Sequence, residues 1–248
     1  MKLKDRVITV TGASSGIGRG IALVAAREGA KVVVADLNEA GGAATVKEIT
    51  EAGGQAAFVT IDVSKEEDAQ RLIDFAVDTF GGFHGAANNA GVALDQVSFV
   101  DTPTELWRKT MAINTDGMFF QLRAQLAYFK DHGGGAIVNT ASMASIKAVK
   151  NVTAYAASKW AVVGLTKQAA IEGIDYGVRV NAVAPGVIRT AIFDNTPADQ
   201  MKAFEEMQPG GRLGNPDEMG ELVVFLLSDA ASYVNAAVLP GDMGASAF

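Results

Sequence analysis

Cysteine is absent from this sequence, histidine occurs only at His84 and His132, and proline appears six times in 248 residues. The first absence removes disulfides, thiolate nucleophiles and cysteine-ligated metals; with so little histidine, almost nothing is left from which to build a zinc site. A chain without disulfides fits a reducing compartment. Long apolar runs are missing as well, and none reaches the roughly 18 residues of a membrane-spanning helix. The opening Met1-Lys2-Leu3-Lys4-Asp5-Arg6 carries charges where a secretory leader would need an apolar core. The expectation is a cytoplasmic protein with no transmembrane segment. Positive charge is not in excess either: 21 Lys and Arg stand against 28 Asp and Glu, a net charge of −7. Neither nucleic acid nor an anionic membrane is therefore an expected partner. Six prolines are too few for collagen or a proline-rich linker, and the 27 glycines form no repeat.

What is present suits a globular chain, with 49% hydrophobic and 20% charged residues over a length that fits one large domain. Short apolar, β-branched runs recur at residues 7–11, 31–35, 56–61, 85–88, 136–139, 179–183 and 237–239. Between them lie amphipathic segments with helical spacing, among them 19–28, 65–79, 105–128, 154–176 and 216–227. Strands alternating with helices imply a parallel sheet. Continuously apolar strands imply that both faces of the sheet are covered, as in a doubly wound α/β layer. Gly133-Gly134-Gly135 reads as a tight helix-to-strand turn. The stretch from Pro185 to Pro216 mixes polar residues with Ile192, Phe193, Met201, Phe204 and Met207, so it reads either as a lid or as a pair of surface helices whose apolar faces pack on the core.

Three local patterns carry chemistry. After the first strand comes Thr11-Gly12-Ala13-Ser14-Ser15-Gly16-Ile17-Gly18, followed by a helix. Glycines at 12, 16 and 18 allow a sharp turn and let a pyrophosphate approach the helix N-terminus, where free N–H groups and the helix dipole attract anions. The second strand ends at Asp36, in the position from which a carboxylate accepts the hydroxyls of an adenosine ribose and repels a 2′-phosphate. Leu37 follows it and Ser15 precedes Gly16, so no cation is placed to pair with that phosphate, and NAD(H) is expected over NADP(H). Further on, Tyr155 and Lys159 are four apart on one helix face. A free phenol titrates near 10, and a neighbouring cation stabilises the phenolate, which makes a tyrosine a usable general acid/base. Ser142, just past the strand at 136–139, falls at the carboxyl edge of the sheet, where ligands of open α/β sheets bind.

TGASSGIG, Asn88-Asn89-Ala90-Gly91, Asn114, Ser142, Tyr155-Ala-Ala-Ser-Lys159 and Pro185-Gly186, in this order, resemble the short-chain dehydrogenase/reductase family. Arg212, Pro216, Glu218 and the run from Val224 to Ser228 resemble its C-terminal region, so the likeness spans nearly the whole chain. It implies a single dinucleotide-binding catalytic domain, residues 1–248, of Rossmann type. Its mainly parallel seven-stranded sheet would be flanked by helices, with a substrate loop at about 186–215. It further implies a catalytic set of Asn114, Ser142, Tyr155 and Lys159. Asn114 would kink its helix and hold a water that relays protons to Lys159, and no metal is implied. The cofactor would lie on Gly12, Ser14, Ser15, Gly16, Ile17 and Gly18. Asp36 and Leu37 would take its ribose, Asp62 and Val63 its adenine, and Asn88, Asn89, Ala90 and Gly91 would stabilise the central strand and lie along the adenosine ribose. Tyr155 and Lys159 would meet the nicotinamide ribose, and Pro185, Gly186, Ile188 and Thr190 would frame the nicotinamide, with the Ile188 backbone and the Thr190 hydroxyl reaching its carboxamide.

The implied reaction is hydride transfer between a secondary alcohol or ketone and nicotinamide. Candidate substrate residues are Ser142, Met143, Ala144, Val152, Tyr155, Val187, Ile192, Phe193 and Met207, with Arg189 and Lys150 as possible charged contacts. A homotetramer is implied, with Trp160 at the core or at an interface. The sequence departs from the family near residue 236, where Ala236 replaces a glycine, and at 241–244, where Gly241-Asp242-Met243-Gly244 replaces Val-Asp-Gly-Gly. Two other readings stay open: the same chemistry on a sugar or a 3-oxoacyl thioester, and a nucleotide-sensing protein without turnover.

Overall fold

A computed structural model describes residues 1–94, 96–190, 193 and 196–247. Seven strands form one sheet: β1 (Val7–Thr11), β2 (Lys31–Asp36), β3 (Gln55–Thr60), β4 (Gly85–Asn88), β5 (Ala136–Thr140), β6 (Arg179–Pro185) and β7 (Val238–Gly241). Every pairing is parallel and the spatial order is β3-β2-β1-β4-β5-β6-β7. The order reverses between β1 and β4, which opens a crevice at the carboxyl ends of those strands.

The helices are α1 (Gly16–Arg27), α2 (Glu39–Glu51), α3 (Glu66–Phe80), α4 (Thr104–Met111), α5 (Gly117–His132), α6 (Thr153–Gly173), α7 (Ala198–Glu206) and α8 (Pro216–Leu227). Alternate strand residues serve the two faces of the sheet. Ile8, Val10, Val32 and Val34 pack with Ile21 and Val24 of α1, Ile49 of α2 and Val223, Leu226 and Leu227 of α8. Val7 and Val33 pack on the other side with Leu72 and Ile73 of α3, Leu122 and Phe129 of α5 and Val162 of α6. Two cores back to back explain why the strands read as continuously apolar.

The amphipathic segment 105–128 is not one helix. A π-helical turn, Ala112–Asp116, separates α4 from α5 and supplies the kink expected at Asn114; such insertions recur at functional sites. The segment 154–176 ends its α-helix at Gly173 and finishes as a 3-10 turn, Ile174–Tyr176. Gly133, with φ of 89°, makes the expected turn into β5. Between Pro185 and Pro216 the described residues form one helix, α7, none of whose residues is buried, in place of a pair packed on the core.

Helices α1 and α8 approach each other closely on one face. A Cβ at Gly20 would lie 2.6 Å from the Pro216 carbonyl carbon, and one at Gly220 would lie 2.7 Å from a Val24 methyl and 2.9 Å from the Gly20 oxygen. On the other face a buried amide network spans β4, β5, α5 and α6. Asn88 Nδ2 donates to Gln125 Oε1 and Asn139 Oδ1 at 2.9 and 3.0 Å. Gln125 Nε2 returns a bond to Asn88 Oδ1 at 2.8 Å, and Asn139 Nδ2 donates to Thr166 Oγ1 at 2.9 Å. These four side chains are satisfied, which favours one arrangement of their elements and fixes the strand ends from which residues 89–91 and 141–142 emerge; the neighbouring Gln121 accepts Gln125 Nε2 at 3.4 Å and is left with its own Nε2 unpartnered among the described residues. Among the described residues, no helix is long and apolar enough to cross a membrane.

Candidate active site

A cleft of about 580 Å³ runs along the carboxyl ends of the strands, from Asp36 and Leu37 past the glycine turn to Tyr155, Pro185 and Thr190. At its centre, Gly12 and Gly16 have φ of 67° and 53°, left-handed values that glycine adopts without strain. A Cβ at Gly18 would lie 2.1 Å from the Gly12 oxygen, so the turn closes only with glycine there. Ser15, the N-cap of α1, makes no side-chain cap. The first-turn N–H groups of α1 are thus left for a ligand and form an anion site of the type a pyrophosphate occupies.

The Asp36 carboxylate closes one end of the cleft. It accepts Ser14 N at 3.0 Å on one oxygen and Asn38 N at 2.9 Å on the other, which fixes its plane at the lip of the groove. The residues lining the cleft include one cation, Lys159; Arg19 of α1 is engaged with Glu48. Asp62 is held by Ser64, whose N–H and hydroxyl it accepts at 3.0 and 2.6 Å. Thr11 Oγ1 accepts the N–H of both Asn89 and Ala90 at 3.0 Å, pinning residues 89–91 across the mouth of β1.

At the opposite end, α6 carries Tyr155 and Lys159 one turn apart. The Lys159 Nζ donates to the Thr140 carbonyl at 2.8 Å and lies 5.8 Å from the centroid of the Tyr155 ring. Burial lowers this ammonium from the usual lysine value of 10.5 to about 8. Asn114 stands beside it: a Cβ at Gly91 would meet Asn114 Oδ1 at 3.0 Å and Lys159 Nζ at 3.3 Å, so both groups crowd the same spot. Ser142 Oγ accepts Ala144 N at 3.1 Å. With a backbone donor already on the oxygen, the hydroxyl hydrogen of Ser142 is free to turn toward another acceptor.

The site has counterparts in known proteins. Residues 12–246 match the family model described as enoyl-(acyl carrier protein) reductase. Over 233 residues the chain is 40% identical to cyclohexanol dehydrogenase of Acinetobacter sp. (strain SE19), covering 94% of this chain and 92% of that one. Over 256 residues it is 38% identical to levodione reductase of Leifsonia aquatica, covering 99% and 96%. A crystal structure of levodione reductase shares the fold with a TM-score of 0.94 at 36% identity, covering 99% of both chains. The chain belongs to the short-chain dehydrogenase/reductase family.

This short-chain dehydrogenase/reductase brings most of the expected residues to one cleft: Gly12, Ser14, Ser15, Gly16, Ile17, Gly18, Asp36, Leu37, Asp62, Val63, Asn89, Ala90, Gly91, Ser142, Tyr155, Lys159, Pro185, Gly186 and Thr190 all line it. Relatives of the family use nicotinamide cofactors, and the glycine turn, the uncapped helix and the Asp36 lip fit one. Three further residues are placed as follows. Asn88 does not face the cleft; it is 2% exposed and committed to the amide network. Ile188 and Val187 line a second cavity, and Ile188 pairs with Gly214, toward which its side chain lies. The Asn114 amide is already spent within the protein: Nδ2 donates to Val92 O and Ser158 Oγ, and Oδ1 accepts Val92 N.

The expected substrate wall is only partly assembled. Ala144 is 3% exposed and belongs to the interior, whereas Met207 is 76% exposed. Phe193 packs edge-on against Phe204 of α7, 5.6 Å between centroids. Met143 begins the turn after Ser142, and Val152 precedes α6 and pairs with Val97. None of these five lines the cleft, and Ile192 lies outside the described residues. In their place Val92, Ala93, Ile113, Thr140 and Ala141 do; the first two directly follow the Asn-Asn-Ala-Gly motif, which was the available signal. Arg189 is paired with Glu205 at 2.5 Å. Trp160 is 52% exposed and so is not a core residue.

Proposed function

We propose that this chain catalyses reversible, NAD(H)-dependent hydride transfer between a neutral secondary alcohol and its ketone, with Tyr155 as general acid/base. The observation that carries the cofactor choice is the Asp36 carboxylate fixed at the lip of the cleft, with Leu37 beside it and no cation among the described residues that line that end. A 2′-phosphate there would meet a like charge and no partner. A bound nicotinamide supplies the hydride acceptor for oxidation and the donor for reduction.

The chain's own residues handle the proton. In oxidation the Tyr155 phenolic oxygen takes the hydroxyl proton, and in reduction it returns it. The Lys159 ammonium beside the ring favours the phenolate. Ser142 donates its hydroxyl to the substrate oxygen as negative charge develops there. Asn114 holds the loop at Val92, and with it Gly91, beside which the Lys159 ammonium lies, so it helps to shape the space around that ammonium. With its amide committed, its backbone is the group left to hold a relay water. Ile188 would act on the carboxamide through its backbone, its side chain being turned away.

The apolar cleft residues Val92, Ala93 and Ile113 favour an uncharged substrate. Arg189, Lys202 and Arg212, the cations within the 186–215 substrate loop, are paired with Glu205, Glu206 and Glu218, which argues against an acyl-phosphopantetheine or phosphosugar ligand. Two relatives are named for a cyclohexanol and a cyclohexadienediol, so cyclic secondary alcohols head the panel. One catalytic domain, residues 1–248, assembles as a homotetramer in the cytoplasm. Exposed Phe119 on α5 and Trp160 and Ile171 on α6 offer apolar surface for the neighbours, and light scattering gives the mass.

The test follows nicotinamide absorbance with NAD and NADP in parallel. Turnover of cyclic alcohols with NAD, and relaxed discrimination in Asp36→Ala, support the proposal. Preference for NADP refutes the ribose argument, and NADH binding without turnover of any alcohol, sugar or hydroxyacyl thioester favours a sensor.

A further inference from the structure

Residues 242–247, which follow β7, touch three separate walls: the Gly186 edge of the cleft, the segment that leads away from Ser142, and the substrate loop. The Asp242 carboxylate accepts Gly244 N and Ser246 N at 2.9 Å, one on each oxygen, and so closes the segment into a compact turn. Against the first wall, Gly186 N donates to Gly241 O at 3.1 Å, and a Cβ at Gly186 would lie 2.8 Å from that of Asp242. Against the second, Lys147, on the segment that leads away from Ser142, donates its ammonium to the carbonyl of the buried Ala245. Against the third, Met243 lays its thioether on Gly210, where a Cβ would be 2.6 Å from the sulfur.

The third contact falls where support is thinnest. Helix α7 buries none of its residues, and a cavity of about 280 Å³ separates the substrate loop from β7 and α8. Met243 lines that cavity and reaches across its edge to the loop. It does so from a left-handed backbone, φ 50°, a conformation that disfavours any side chain and that is retained where the surroundings enforce it.

We propose that the turn at 242–247 is a clasp that sets how tightly the substrate is held, with Met243 and Lys147 as its positioning residues. Neither lines the nucleotide cleft. Met243 fixes the substrate loop and Lys147 the Ser142 wall, both to the strand that carries the nicotinamide turn beside it. The proposal rests on the cleft being the dehydrogenase site described above.

Met243→Gly tests it sharply, because glycine relieves the left-handed strain while removing the contact. The expected result is a KM for the alcohol raised about three- to tenfold, with the KM for NAD within about twofold of wild type and Tm unchanged or higher. Met243→Leu retains wild-type KM. Lys147→Met shifts the substrate KM in the same direction, and Lys147→Arg restores it. An unchanged substrate KM in Met243→Gly and Lys147→Met, or a cofactor KM that rises in step, overturns the clasp. A second readout does not depend on turnover: trypsin cleavage at exposed Lys202, followed by mass spectrometry. Faster cleavage in Met243→Gly supports the clasp and equal rates overturn it, even if the wild-type chain fails to oxidise the panel and the proposed reaction falls.

Discussion

Replacing Lys159 by methionine should raise the stability of the cofactor-free protein while removing its activity. The ammonium is 4% exposed, and burial lowers it from 10.5 to about 8. At about 1.4 kcal/mol per decade, keeping it protonated in the folded state at neutral pH costs on the order of 3 kcal/mol. Methionine fills similar volume without the charge, but it strips the Thr140 carbonyl of its donor at 2.8 Å, which costs about 1 to 3 kcal/mol. The net expectation is a gain of about 1 kcal/mol at neutral pH, or roughly 2 to 4 °C in Tm for a chain of this size. The pH dependence has a definite sign. Between about 8 and 10.5 the unfolded chain binds the proton that the folded chain has released, so wild-type stability from this group rises across that window. The variant lacks the group, so its advantage should fall by about 2 kcal/mol between roughly pH 7 and pH 9.5 and turn into a deficit of about 1 kcal/mol. Urea denaturation of both proteins without cofactor measures the difference. A variant less stable by more than about 2 kcal/mol at neutral pH, or a gap independent of pH, would refute the reasoning.

Other outcomes follow from the same geometry. Tyr155→Phe should cut kcat by about 10³-fold or more while NADH affinity, read by fluorescence titration, stays within a few-fold of wild type. Glu218 is held near 2 by Arg212, whose guanidinium it accepts in bidentate fashion at 2.7 and 2.9 Å, and by Asn215 N. Its stabilisation is therefore present above the ordinary carboxylate value and is lost as pH falls toward 2. Because the pair is nearly half exposed, Glu218→Gln should cost only about 0.5 to 1 kcal/mol at neutral pH, with a weaker acid dependence in thermal melts. Ala236 sits at φ 59°, where an alanine is strained, so Ala236→Gly should raise stability by about 0.5 to 1 kcal/mol. A lowered Tm would show that its methyl packing outweighs the backbone term.

The legible parts of this molecule are those fixed by short-range chemistry. Five-residue β1, with alternate residues feeding two cores, and α8, opened by Pro216 and the Asn215–Glu218 capping box, could be read with little error because burial and capping leave local marks. Helix α2 was passed over: it contains Gly41-Gly42 and few apolar residues, and Gly42 is there because a Cβ would overlap the Phe58 ring at 2.0 Å, a fact of β3 packing and not of local pattern. The cofactor end of the cleft was legible since its residues lie in turns directly after β1, β2, β4 and β6. The substrate wall was not. Which of Met143, Val152 or Met207 faces a ligand depends on how distant segments lie against one another, and apolar side chains carry no mark separating wall from core. The strand-stabilising part of Asn88 was legible from the motif, but its partners were not, because Gln125 and Asn139 lie 37 and 51 residues away.

The glycine-mediated approach of α1 to α8 bears on how this protein comes into being. The helix whose N-terminus forms the anion site is seated by residues about 200 positions later in the chain, at Pro216 and Gly220. Contacts so distant along the chain close late and slowly. During synthesis the anion site must therefore emerge long before the surface that seats its helix exists, leaving α1 exposed to chaperones or to misassembly in that interval. A nascent chain halted before residue 216 should fail to be retained by immobilised nucleotide, however well its glycine turn is already formed.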